Sequence, residues 1–142
     1  MNQMRTPGTY HLVLRLQEAR ALRVGRLGRF TFPAGYYVYT GSAMSGLEAR
    51  LARHRRRKKK LRWHIDYLLR YAELLEVVAI PGRRKIECER NRRVLSLPEA
   101  QVVAPGFGAS DCRCVAHLAR LPSLVGPLQE RHLRLRNVCV RR

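Results

Sequence analysis

Residues 9–16 alternate strictly: Tyr10, Leu12, Leu14 and Leu16 point one way, and His11, Val13 and Arg15 the other. A repeat of two with one apolar side is the pattern of a half-buried β-strand, so this chain is committed to a sheet with a covered face. Polar residues 17–20 read as a turn. The stretch from Leu22 to Phe32 carries Gly25 and Gly28 and then two phenylalanines, the pattern of a strand or a bulged hairpin. Pro33-Ala34-Gly35 breaks it, and Tyr36 to Thr40, aromatic and β-branched, reads as a third strand. Three short strands joined by short turns suggest an antiparallel meander.

A helix follows. Ser45 and Glu48 have the spacing of a capping box, and Leu47, Arg50, Leu51 and His54 recur at i, i+3, i+4 and i+7. Arg50 shares a stripe with two leucines, which takes it off the plain solvent face. Trp63 to Tyr71 reads as a second helix and Leu74 to Ile80 as a strand stopped by Pro81-Gly82. Lys85 to Leu97 reads as a third helix, residues 98–110 as loop, and Asp111 to Leu121 as a short helix. The expected class is α+β: a small, mainly antiparallel sheet flanked by helices. One domain is expected over residues 1–142, with a core over about 7–121 and a basic C-terminal extension over 122–142.

Charge narrows the partners. Lys and Arg total 29 against 10 acids, a formal +19. So large an excess attracts polyanions, nucleic acid first, because each neutralised phosphate releases a counterion. Eight of the ten residues from Arg53 to Arg62 are Lys or Arg. Arg53, Arg55, Arg56, Arg57, Lys58, Lys59, Lys60 and Arg62, with His54 among them, are expected to track a nucleic-acid backbone without reading its sequence. No apolar run is long enough to span a bilayer, so no membrane partner is expected. The N-terminus lacks the apolar stretch of a signal peptide, which points to the cytoplasm. In a reducing compartment Cys88, Cys112, Cys114 and Cys139 are thiols or metal ligands sooner than disulfides. Cys88, Cys112, Cys114 and His117 would make a Cys₃His set suited to structural zinc, although Cys-x-Cys is tighter than the usual spacing.

Two glycine–tyrosine clusters bear on chemistry. Gly8-Thr9-Tyr10 opens the first strand and Tyr39-Thr40-Gly41 closes the third. Isolated tyrosines are ordinarily core aromatics. These are followed by Gly46-Leu47-x-x-Arg50-x-x-x-His54 and by Ile86-Glu87-Cys88-Glu89. In that order the chain resembles the GIY-YIG nuclease superfamily, with Thr for Ile in both tyrosine motifs. It is similar in particular to a branch found alone or fused to endonuclease-III-type DNA repair enzymes. The features of that branch stand here as Val24-Gly25-Arg26-Leu27-Gly28, residues 37–43, Trp63-His64-Ile65-Asp66-Tyr67-Leu68, Glu87-Cys88-Glu89 and residues 106–114. Residues 11–38 are longer than in the shortest nucleases of the superfamily, which implies an extra strand or hairpin there.

The resemblance implies a metal-dependent endonuclease acting on nucleic acid, DNA first. Tyr10 would be the general base, and since a phenol titrates near ~10 it needs positive charge nearby. Arg50 would hold the scissile phosphate with its planar fork. Glu87 would hold one Mg²⁺ or Mn²⁺ largely through waters, with Asn91 one turn on, and Tyr39 would position water or phosphate. His64 would lie at the edge of the site. The rival readings are a non-catalytic DNA- or RNA-binding module on the same scaffold, and a basic protein that coats RNA.

Overall fold

The computed structural model describes residues 5–123 and 138–140; most of the expected C-terminal extension lies outside the described residues. The class is α+β as expected. The elements are β1 (Gly8–Leu16), β2 (Arg20–Val24), β3 (Gly28–Phe32), β4 (Gly35–Ala43), α1 (Leu47–Arg55), α2 (His64–Leu69), β5 (Glu73–Pro81), α3 (Glu87–Leu95), β6 (Leu118–Leu121) and β7 (Val138–Val140). Five strands form one antiparallel sheet in the order β6-β4-β1-β5-β7, and β2 and β3 form a separate hairpin.

The alternation of β1 divides the molecule. Tyr10, Leu12, Leu14 and Leu16 face a core shared with Tyr37 and Tyr39 of β4, Val77 and Ala79 of β5, Leu47 and Leu51 of α1, and Ile65 and Leu68 of α2. The opposite face carries Val38, Ala119 and Leu121, covered by Val94 of α3 and by Leu97 just beyond its end. Helices therefore lie on both faces, with α1 and α2 on one and α3 on the other.

Three expectations are corrected. The meander does not form: β1 pairs directly with β4 from Gly8↔Ala43 to Leu16↔Gly35, and the hairpin between them leaves the sheet. Leu22, Val24 and Phe32 are buried in the first core all the same, which is what the apolar residues of this insertion are for. The capping box does not close either. Gly46 is the N-cap of α1 at φ 144°, a conformation that favours glycine, and no side chain caps the helix. Glu48 instead accepts from the Thr6 amide at 3.1 Å and the Thr6 hydroxyl at 2.7 Å, because the segment before β1 runs past the start of α1. Finally, residues 111–117 are turns and bends rather than helix, and 118–121 are strand β6. Pairing with the edge of β4 from Tyr36↔Leu121 to Tyr39↔Leu118 overrides local helical preference.

Candidate functional site

The two tyrosine motifs meet because their strands are neighbours in register, Tyr10 opposite Gly41. A Cβ on Gly41 would fall 2.6 Å from the Tyr10 hydroxyl, and one on Gly8 would fall 2.6 Å from the Ile80 carbonyl oxygen. Both motif glycines are there for space. The Tyr10 and Tyr39 ring centroids are 6.3 Å apart, and His54 from α1 lies 5.3 Å from Tyr10 and 6.4 Å from Tyr39. The Tyr10 hydroxyl and His54 Nε2 share a hydrogen bond of 2.7 Å. Helical spacing from Arg50 to His54 thus brings an imidazole onto the strand tyrosine.

Both tyrosines are buried, so the site is closed at the phenols, and the Arg50 side is the part that reaches solvent. Burial pushes the Tyr10 phenol up to about 12; the charge and hydrogen bond of Arg50 pull the other way, and the charges of Glu87 and Asp66 add to the rise. Tyr39 is raised well above its ordinary value, first by burial and then by the neighbouring Tyr10 and Glu87. His54 is driven down to about 3, chiefly by burial, with Lys59, Arg50 and Arg53 adding to the effect against Asp66. It is neutral at ordinary pH, so the Tyr10 proton has a neutral nitrogen beside it.

Arg50 is held by its surroundings. It donates to the Ser42 carbonyl at 2.7 Å, and its guanidinium lies 4.5 Å from the centroid of the Trp63 ring. Arg53 lies over the same ring at 4.2 Å and forks onto Asp66 with two bonds of 2.9 Å. Asp66 also accepts from the Arg62 and Trp63 amides at 2.8 and 2.9 Å. Burial alone would raise the Asp66 carboxyl; the Arg53 fork and the two amides hold it below the ordinary carboxylate range. Sequence reasoning gave neither Trp63 nor Asp66 a task. The signal available was a carboxylate three residues after a helix start, where it can cap.

The basic run splits. Arg53 is tied to Asp66, His54 is buried, and the Lys59 ammonium donates to the carbonyls of Arg53, His54 and Arg56, closing the C-terminal end of α1. Arg55 is partly buried, while Arg56, Arg57, Lys58, Lys60 and Arg62 are exposed. A cleft of about 1020 Å³ is lined by residues 54–59 on one side and by Arg70, Tyr71 and Glu73 on the other.

Glu87 is the first residue of α3, and that helix packs through Val94 on the face opposite Tyr10. Its carboxylate is in charge range of both tyrosines, and its direct partner is His117, with Oε2 lying 3.2 Å from Nδ1. Asn91, one turn on, is buried and donates to the Ala116 carbonyl at 2.7 Å, so its amide nitrogen is committed to the chain. His64 accepts from the Gly108 amide at 2.7 Å and touches Phe107 rather than Tyr10.

Cys88, Cys112, Cys114 and His117 do come together, with their ligand atoms all within 4.8 Å of one another, a group that could hold a metal. Three sulfurs and one nitrogen lean toward zinc and away from magnesium, which prefers oxygen.

Residues 9–138 match the protein family described as domain of unknown function DUF123. No curated protein and no solved structure matches the chain.

Proposed function

We propose that this chain, which belongs to the DUF123 family, is a metal-dependent endonuclease of the GIY-YIG type that hydrolyses phosphodiester bonds of nucleic acid, DNA first. The observation that carries the reading is the convergence of Tyr10, Tyr39, His54 and Arg50, from two strands and a helix, with the charge of Glu87 in reach. Such a hydrolysis needs a proton acceptor for the attacking water, a cation against the developing charge, and help for the leaving oxygen.

Arg50, braced by Ser42 and Trp63, offers the planar fork that binds a phosphate. Tyr10 is the proton-transfer group, and His54 is the neutral base against which its hydroxyl is set. A hard divalent ion, Mg²⁺ or Mn²⁺, fits Glu87 only through the oxygen left free by His117, with waters and phosphate oxygens supplying the rest. When bound, it would supply charge neutralisation at the phosphate. The exposed part of the basic run and the cleft beside it would draw in the nucleic-acid backbone. Among the described residues no helix is long and apolar enough to cross a membrane, and the reading places the protein in the cytoplasm.

One observation favours the second reading, a binding module on the same scaffold: Tyr10 is buried and raised to about 12, which keeps the phenol protonated at neutral pH and unable to accept a proton unless Arg50 and substrate shift the balance. The deciding experiment incubates the purified protein with branched, nicked and single-stranded DNA and RNA. Mg²⁺ or Mn²⁺ is supplied, and an EDTA control is run alongside. Metal-dependent cleavage of any of these supports the enzyme; tight binding with no cleavage under every condition supports the module.

A further inference from the structure

The thiol cluster stands beside the tyrosine site, and His117 links the two through Glu87. His117 Nε2 lies 3.3 Å from Cys112 Sγ and 3.8 Å from Cys88 Sγ. Zinc bonds of about 2.3 Å to sulfur and about 2.0 Å to nitrogen set neighbouring ligand atoms of a tetrahedron roughly 3.5–3.8 Å apart. The four donors, none more than 4.8 Å from another, need little movement to close on an ion. The turns over residues 111–117 let Cys112 and Cys114 turn to one point despite their tight spacing.

The other nitrogen of His117 is already engaged. Nδ1 lies 3.0 Å from the Thr40 carbonyl oxygen and 3.2 Å from Glu87 Oε2, and both are acceptors. The ring proton therefore sits on Nδ1, and the lone pair of Nε2 faces the sulfurs. A carboxylate or carbonyl behind the ring is the usual second partner of a metal-bound histidine, fixing its tautomer and raising its basicity. Glu87 and Cys88 are also adjacent in sequence, so both neighbours in the chain are drawn to the same point.

We propose that Cys88, Cys112, Cys114 and His117 bind one zinc ion, and that this centre, acting through His117, is the positioning device for the Glu87 carboxylate. Cys88 and His117 are thus positioning residues. The zinc site and its hold on Glu87 stand on the distances above; only what Glu87 then does at a phosphate rests on the nuclease reading.

The test is a titration of the full chain, kept reduced and freed of metal by chelation, with Zn²⁺ and separately with Co²⁺. Glu87→Gln is run beside it, and Glu89→Gln serves as a control for charge alone. Expected are one zinc per chain by elemental analysis, the visible absorption of tetrahedral thiolate-bound Co²⁺, and loss of both in Cys112→Ser. Glu87→Gln keeps the stoichiometry but binds about 10–100-fold more weakly, the usual cost of losing a partner behind a metal-bound histidine. Glu89→Gln, exposed and far enough along the helix to face Arg84, binds as the parent does. No metal in the reduced parent protein overturns the site. Equal affinity in the parent and Glu87→Gln overturns the positioning role. A zinc-loaded protein that cuts no substrate counts against the nuclease reading alone, because none of these readouts uses cleavage.

Discussion

The tyrosine cluster and the thiol cluster are neighbours built in opposite ways. Tyr10, Tyr39, His54 and Arg50 hang on paired strands and a helix, and their relative positions are set by register and by two glycines that leave room. Cys112, Cys114 and His117 hang on a stretch of turns, joined to Cys88 at the start of α3. In the first, the backbone stores the geometry and the side chains are free to do chemistry. In the second, the geometry depends on the side chains agreeing on a common partner. Polar substitutions in the first cluster should therefore change rate before fold, and ligand substitutions in the second should change order before anything else.

The largest effect expected from this contrast is on rate. Tyr10→Phe removes one hydroxyl from a strand-held ring, so cleavage should fall roughly 10²–10⁴-fold, the usual worth of an acid–base group. The cost in stability should be only about 1–3 kcal/mol, from leaving His54 Nε2 without its partner. Unchanged cleavage by a folded Phe variant would return Tyr10 to the core and erase the distinction.

Next comes the support beneath the first cluster. Asp66 is buried and takes four hydrogen bonds, two of them from Arg53. Asp66→Ala strands a largely buried guanidinium, so urea unfolding should show a loss of about 3–5 kcal/mol. A loss below about 1 kcal/mol would mean that the register of the strands does not need this brace.

Acid sharpens the comparison more gently. His11, on the other face of β1, is driven by burial to about 3, as is His54. Both are neutral in the fold, while the unfolded chain takes up protons below about 6.5. Stability is full above that pH and drains away as pH falls toward about 3. Metal-free protein, in which the thiol cluster contributes no metal release, should show a lower urea midpoint at pH 5 than at pH 7.5. His11→Gln should flatten that difference; an equally steep fall in the variant would place the cause elsewhere.

The strand-built region was the more legible one. A period of two in β1 and of 3.6 in α1 placed Tyr10, Arg50 and His54 on their faces, although β1 is buried on both faces, with Thr9, His11 and Val13 covered as well, and not on the single one expected. What local pattern misses is what distant chain supplies. Thr6 takes the carboxylate of Glu48, β4 takes residues 118–121 as a strand, and α1 turns Arg53 and Lys59 of the basic run back onto the protein. The thiol cluster was legible as a set of donors and illegible as a shape, since turns carry no period from which to read which way Cys112 and Cys114 point.

The chain contains a single tryptophan, and it lies with Arg50 at 4.5 Å and Arg53 at 4.2 Å from its ring. Contacts of this kind depend on where the cation sits over the ring. Arg53 is moored to Asp66 and Arg50 to the Ser42 carbonyl, and of the two Arg50 is the group set to grip an anion. The protein thus carries its own optical probe. An anion that draws Arg50 off the ring changes the surroundings of the only indole in the molecule, and occupancy of the site becomes visible as a change in emitted light without any label.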